Sequence, residues 1–310
     1  WQLCLLGDDP DHPHRLGFDE YCLFGWHEGP RYYEPHIRQN GKLRDDVRDR
    51  YGPDVYVEFL SDLVSKHRNR PSFAFYPMAL CHAVTNDLET PVPVGPDGRY
   101  QNYGEMVAAM DQRVGQLLDV IDAHDLHSKT LIVFFTDNGT PKRNIDGVRD
   151  GRLYESPVSS VRNGVVIPGG KGQLTDAGTR VPLIIRWPGR IEPGSVSDDL
   201  VDVSDFLPTI AELAGAKLPQ GVVLDGKSFA DRLLGRGEPV RHWVYAEHHD
   251  EAFAQDQRWK LYDDGRFFES EADPAESNPL ATDHLEGAAA EAFKKLRTAM
   301  QEIQDAAPFK

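Results

Sequence analysis

Thr130-Leu131-Ile132-Val133-Phe134-Phe135-Thr136-Asp137-Asn138-Gly139 is the stretch on which the reading of this chain turns. Its apolar run is short and rich in β-branched and aromatic residues, as in a strand covered on both faces. The run ends directly in a carboxylate and an amide. Downstream, Gly169-Gly170-Lys171-Gly172 and Thr175-Asp176-Ala177-Gly178-Thr179-Arg180-Val181-Pro182 lead into a second strand, Leu183-Ile184-Ile185-Arg186-Trp187, closed by Pro188-Gly189. Two hard oxygen donors and a lysine are thereby expected near the mouths of two buried strands.

Working outward, Val55, Tyr56, Phe59, Leu60, Leu63 and Val64 recur at helical spacing, and Pro53-Asp54 supplies a start. Phe73 to Leu80 reads as a further buried strand delivering Cys81-His82 to its end, with Pro77 a mark against full pairing. Asn86 to Gly98, with Pro91, Pro93 and Pro96, reads as loop. A long helix over 103–124 carries Met106, Val107, Met110, Val114, Leu117, Leu118 and Ile121 on one face. Helix, strand, helix, strand predicts an α/β fold: a mixed, largely parallel sheet with helices on both faces, and ligands gathered at carboxyl ends of strands. Residues 141–164 read as a long polar excursion.

Asp205 is placed to cap a helix that stops at Gly215. Short strands around Trp243-Val244-Tyr245, Trp259-Lys260-Leu261-Tyr262 and Arg266-Phe267-Phe268, then a helix from about His284 to Ile303, predict a small antiparallel sheet and helix. The expected division is a catalytic α/β domain over 1–235 and a carboxyl-terminal α+β subdomain over 236–310.

The 310 residues carry 34 Lys and Arg against 50 Asp and Glu, a formal charge of −16. Such a surface repels nucleic acid and anionic membrane, so neither is an expected partner, and an anionic substrate needs a local positive feature such as a bound cation. Cys4, Cys22 and Cys81 form no disulfide framework and no metal-ligand spacing. No run of 18 apolar residues is present. The chain does not begin with Met and lacks a signal-peptide pattern, which predicts a fragment or processed product.

Asp137 and Asn138 can offer a carboxylate and an amide oxygen to a hard cation, although Ca²⁺ takes about six to eight oxygens. Asn138-Gly139 is equally readable as a type I′ hairpin turn. Lys171 among glycines suits contact with an anion, but an exposed loop lysine looks the same. His82 could donate a proton or bind an oxyanion; a hydrogen-bonded core histidine is the bland alternative. His248-His249-Asp250 reads as surface or pocket rim, since adjacent strand residues point to opposite faces. No G-x-S-x-G, P-loop or H-E-x-x-H occurs.

In order and spacing these pieces resemble the sulfatase family of the alkaline phosphatase superfamily. The carrying motifs are Thr136-Asp137-Asn138-Gly139, Gly170-Lys171-Gly172, Gly178-Thr179-Arg180-Val181-Pro182, Trp187-Pro188-Gly189, Asp205-Phe206-Leu207-Pro208-Thr209-Ile210, Leu224-Asp225-Gly226-Lys227-Ser228 and the run Glu271 to Ala281. The resemblance implies that Asp137 and Asn138 ligate Ca²⁺ and that Lys171 and His82 bind the sulfate ester, with His82 near the leaving oxygen. It also implies a formylglycine, made from the Cys or Ser of C/S-x-P-S-R, whose hydrate attacks sulfur. That motif is absent here.

Trp1-Gln2-Leu3 with Gly17-Phe18-Asp19 looks like the family's G-K-W-x-L segment and its sequel, with Gln2 where many members carry histidine. The formylglycine, two metal aspartates and a lysine are therefore expected upstream of Trp1, and the cation site is expected to be incomplete in this chain. The expected function is hydrolysis of a sulfate ester on a sugar or aryl group, with negligible turnover by these residues alone. A phosphodiester or phosphonate monoester hydrolase of the same superfamily and a non-catalytic sulfated-glycan binder are the alternatives. The family implies a periplasmic or secreted protein. Exposed sheet edges would favour self-association.

Overall fold

Apolar residues recurring every three or four positions produce helices where the sequence predicts them. The computed structural model describes residues 9–25, 31–82, 102–150 and 152–306, and falls into two units. One comprises residues up to 130 together with 143–156; the other comprises 131–142 and 157–310. The expected loop Asn86 to Gly98, the Trp1-Gln2-Leu3 segment and Cys4 lie outside the described residues.

In the first unit, a short helix α1 (His12–Arg15) precedes strands β1 (Cys22–Leu23), β2 (Arg38–Gln39) and β3 (Lys42–Leu43), an antiparallel set. Helix α2 (Gly52–His67) begins with Pro53 in its first turn and buries Val55 and Val57. Helix α3 (Tyr103–Ala123) is capped by Asn102, whose side chain accepts from the Glu105 amide at 3.0 Å. Ser65 of α2 meets His124 at 2.8 Å, and Arg113 pairs with Asp54 at 2.7 Å, so polar bridges tie the two helices together.

Cys22, Ile37, Val47 and Val55 form one core cluster. Burial pushes the Cys22 thiol up to about 12, and burial likewise raises Cys81 to about 11. Since the thiolate is the reactive form, both cysteines should resist alkylation at pH 8 in the folded chain and react once denatured. Peptide mapping by mass spectrometry checks this, and native labelling of Cys22 at the unfolded rate would contradict it.

Two expectations fail, one in this unit and one across both. Phe73 to Leu80 forms no strand: residues 71–79 run without a ladder, and Phe73 and Phe75 are 60% and 46% exposed. Pro77 offers no N–H, and Met78 donates to Tyr76 within a tight local turn at 2.8 Å, so pairing is interrupted from within. The polar excursion 141–164 is ordered rather than irregular. After strand β4 (Ile132–Phe135) of the second unit, β5 (Arg143–Arg149) pairs with β6 (Arg152–Pro157). In the second unit β7 (Ser159–Arg162) pairs with β8 (Val165–Pro168).

A four-residue helix α4 (Asp176–Thr179) follows β8, and then β9 (Leu183–Arg186) pairs with β4. That pairing is antiparallel, with Ile132 opposite Arg186 and Phe135 opposite Leu183. The protein is mixed α/β, but among the described residues the largely parallel sheet is not found: the registers of β1–β2, β2–β3, β4–β9 and β7–β8 are all antiparallel. The physical reason lies between β4 and β9. Parallel neighbours are usually joined by a crossover helix, whereas the connection over 136–182 carries two strand pairs, β5–β6 and β7–β8, and only the single helical turn α4. Nor are the two strands fully buried, since Ile184 is 61% exposed.

Helix α5 (Phe206–Ala214) ends at Gly215, whose φ of 67° supplies the left-handed stop expected from sequence. Phe206 meets Phe135 of β4 at 4.7 Å between ring centres. Asp205 does not cap α5 through its side chain; it closes the preceding turn by accepting from the Asp202 amide at 2.9 Å. A short helix α6 (Ala230–Leu233) leads on to the carboxyl-terminal part.

There, β10 (Val244–His248), β11 (Glu251–Gln255), β12 (Trp259–Tyr262) and β13 (Phe267–Glu269) form the antiparallel sheet expected, with helix α7 (Gly287–Ala306). Alternation sorts its side chains to two faces. Ala254, Trp259, Leu261 and Phe267 meet Ala292, Leu296 and Met300 of α7. Phe253, Tyr262 and Phe268 face the other way and enclose Leu174.

Candidate active site

Thr140 joins the pieces singled out in the sequence. Its carbonyl accepts from the backbone N–H groups of both Gly170 and Lys171, each at 3.0 Å, while the Gly139 N–H donates to Gly178 at 2.9 Å. These bonds bring Asp137-Asn138 and the Lys171 turn together within one unit. Backbone passes so closely here that side chains are excluded. A Cβ on Gly139 would lie 1.9 Å from the Ala177 carbonyl oxygen, and one on Gly178 2.0 Å from that of Gln173.

The hairpin-turn alternative for Asn138-Gly139 is not adopted. A type I′ turn requires positive φ at both central residues, and neither residue has it; β4 pairs with β9 instead of with the following segment. Asp137 is exposed, and among the described residues its carboxylate has no hydrogen bond or ion pair. Asn138 directs its amide nitrogen to the Gly139 carbonyl at 2.9 Å, and among the described residues its amide oxygen accepts no hydrogen bond. This donor set fits part of a hard-cation shell. Among the described residues, no three His, Cys, Asp or Glu side chains gather as a complete metal site.

Lys171 is exposed, yet its backbone is not slack: Gln173 donates to Gly170 at 2.8 Å, and Gly172 takes a φ of +80°. The ammonium is thus carried on a turn fixed at both ends. His82 belongs to the other unit, at the end of the unpaired segment. Its amide donates to Ala79 at 2.7 Å, and the Tyr32 hydroxyl approaches both the Ala79 and His82 carbonyls, at 2.8 and 2.7 Å. His248 and His249 are exposed at a hairpin tip, as the sequence suggests.

One buried group escaped the sequence reading. Lys260 is fully buried on the face of β12 that meets the Lys171 turn, and donates to Leu174 O at 2.6 Å and Glu276 Oε1 at 2.8 Å, with Asp176 Oδ1 at 3.5 Å. Arg162 also pairs with Asp176. A lysine inside an otherwise apolar strand, with the acidic run Glu271 to Glu276 downstream, was the available signal.

Burial by itself would raise the Asp176 carboxyl, but the Lys260 and Arg162 charges outweigh it and hold it below the ordinary 3.8. A depressed folded value contributes stability above the unfolded one. The contribution should therefore be complete above about pH 5 and lost as pH falls below 3.8 toward the folded value. Urea midpoints from pH 6 down to pH 3 test this against Asp176→Asn, in which the corresponding slope should flatten.

The structure thus holds Asp137-Asn138 at the end of β4 beside the Lys171 turn in a mixed α/β frame. A family model described as sulfatase matches residues 7–216, and one described as N-sulphoglucosamine sulphohydrolase, C-terminal, matches 170–306. The chain belongs to the sulfatase family.

It is 34% identical to mouse (Mus musculus) steryl-sulfatase over 196 residues, covering 63% of this chain and 29% of that protein. Bovine (Bos taurus) arylsulfatase A is 33% identical over 192 residues, covering 61% and 34% respectively. The chain thus spans about a third of the length of these two relatives. Among solved structures, Ps i-CgsB superposes with a TM-score of 0.69 at 24% identity, covering 96% of this chain and 70% of that one. BT4656, solved with its substrate D-glucosamine-2-N,6-O-disulfate, gives 0.62 at 19%, covering 94% and 76%. These likenesses show the sulfatase fold. Among the described residues, no helix is long and apolar enough to cross a membrane.

Proposed function

We propose that the protein to which this chain belongs hydrolyses sulfate esters, on a sugar or aryl group, with Asp137 and Asn138 as part of a Ca²⁺ shell and Lys171 and His82 as sulfate-binding groups. The observation that carries this is the Thr140 carbonyl, which fastens the Lys171 turn to the Asp137-Asn138 strand end. Bound there, Ca²⁺ would supply positive charge to the ester oxygens. Lys171 adds a compact point charge, and the rigid backbone keeps both charges in place as negative charge shifts toward the leaving oxygen. His82, half-buried, would hold a proton for that oxygen.

Support for the substrate class comes from the names of relatives, which act on steryl, aryl and N-acetylgalactosamine-6-sulfate groups, and from the disulfated glucosamine bound by BT4656. The nucleophile of this reading is a formylglycine upstream of Trp1, with a periplasmic or secreted location. We further propose the division 1–235 and 236–310 into catalytic domain and subdomain. Self-association through exposed sheet edges is part of the same reading, and light scattering that finds a monodisperse monomer would count against it.

The 310 residues alone should show negligible turnover of aryl sulfates. Measurable activity in this purified chain would refute the placement of the nucleophile upstream. Tight glycan binding by the whole protein without turnover would instead favour a binding role.

A further inference from the structure

Lys260 and Glu276 lie outside the donor set of the proposed site, yet both reach into the turn that carries Lys171. The Lys260 ammonium donates to the Leu174 carbonyl, three residues beyond Lys171, at 2.6 Å. It also donates to Glu276 Oε1 at 2.8 Å, and the same oxygen accepts from the Asp176 backbone N–H at 2.9 Å. The Tyr262 hydroxyl donates to Glu276 Oε2. Apolar contacts reinforce the same grip, because the Leu174 side chain is enclosed by Phe253, Tyr262 and Phe268. The Lys260 ammonium lies 4.1 Å from the centre of the Phe253 ring.

Burying a lysine is costly unless it is paired and hydrogen-bonded. Here Lys260 and Arg162 face Asp176 and Glu276, with the more exposed Arg180 3.9 Å from Asp176. All of these residues belong to one unit, together with Asp137, Asn138 and Lys171. From Leu174 and Asp176 the chain returns to the site through Gly178, whose carbonyl receives the Gly139 N–H. The carboxyl-terminal sheet therefore grips the turn on one side while Thr140 holds it on the other.

We propose that Lys260 and Glu276 are positioning residues for Lys171, setting the lysine turn against the Asp137-Asn138 strand end from the carboxyl-terminal sheet. The proposal rests on the reading of Lys171 as an anion-binding group for its functional meaning, but the mechanical link is testable without any ligand.

The test is amide hydrogen exchange by NMR on the 310-residue chain. Two variants are compared with the parent: K260M/E276Q, which leaves Arg162 paired with Asp176, and Y262F, which removes only the hydroxyl that holds Glu276. In the double variant, exchange at Lys171, Gln173 and Gly178 should accelerate by about tenfold or more, with amides of β11, β12 and α7 within about twofold of the parent. Y262F should show the same local pattern at smaller amplitude, and its result decides the matter if the double variant does not fold.

Acceleration spread equally through β11, β12 and α7, or no change at the turn, would overturn the proposal. A titration with inorganic sulfate separates this from the functional reading. The parent should show sulfate-dependent shifts at Lys171 that K171A abolishes and that K260M/E276Q weakens with the lysine still present. No response in the parent would count against the sulfate reading of Lys171, while the exchange pattern still decides the positioning role.

Discussion

Asp205→Ala should lower the unfolding free energy by about 3–5 kcal/mol, the cost of leaving a buried charge without its partner. The carboxylate is fully buried, and each oxygen has two donors. Oδ1 accepts from the Lys227 amide and Arg241 Nη2, both at 2.6 Å; Oδ2 accepts from Arg241 Nε at 2.6 Å and the Asp202 amide at 2.9 Å. Arg241, nearly as deeply placed, retains contacts to Ser204 and the Asp225 carbonyl but no counter-charge at this position once Asp205 is gone. The two backbone amides are orphaned as well. Asp205→Asn keeps the shape and part of the hydrogen bonding, so its loss should be smaller, about 1.5–3 kcal/mol, the range for a hydrogen bond to a charged group. Urea denaturation gives both values. A loss below about 1 kcal/mol for Asp205→Ala would show that the carboxylate is not the hub the geometry makes it.

Gly139→Ala should be as severe and should strike the site itself. The added methyl would stand 1.9 Å from the Ala177 carbonyl oxygen, 2.8 Å from its carbon and 3.0 Å from the Gly178 Cα. All three are backbone atoms, so no side chain can swing aside. Either the Gly139–Gly178 hydrogen bond breaks or the strand end shifts, and overpacking of this kind costs about 3 kcal/mol or more. Gly172→Ala is the control: its Cβ meets nothing within 4 Å, and only its φ of +80° is unfavourable. That variant should lose about 1–2 kcal/mol. Thermal melts of the two variants, with hydrogen exchange at Gly170 and Lys171, distinguish steric displacement from simple backbone strain. Equal losses would contradict the close approach at Gly139.

These effects bear on what could be read before the structure. The helices α2, α3, α5 and α7 were legible because 3.6-residue periodicity is a local property, and Gly215 marked a stop that only a residue tolerant of positive φ makes easily. Strand identity was legible at β4 and β9, but strand direction was not. A continuous apolar run reports the surroundings of a strand, and its pairing depends on which segment arrives beside it. Phe73 to Leu80 has the composition of a strand and forms no ladder.

In the site, Asp137, Asn138 and Lys171 were identifiable by residue type and order, although each had an ordinary alternative. What joins them is the Thr140 carbonyl, a backbone group with no sequence signature. Lys260 was hidden for a related reason. Its apolar strand neighbours hint at burial, but its partners Leu174 and Asp176 are distant from it in sequence, so nothing local shows what the lysine meets. Asp205 is legible as a helix-start residue, while its link to Arg241 depends on a contact across 36 positions.

The central claim is that the Asp137-Asn138 strand end and the Lys171 turn form part of a sulfate-ester site. It is tested most directly by comparing hydrolysis of an aryl sulfate, an aryl phosphate monoester and an aryl phosphodiester by the whole protein, with Asp137→Ala measured in parallel. The account predicts turnover of the sulfate ester in preference to both phosphates, falling at least about a hundredfold in Asp137→Ala. A clear preference for the phosphodiester, or sulfate turnover undiminished in Asp137→Ala, would contradict it.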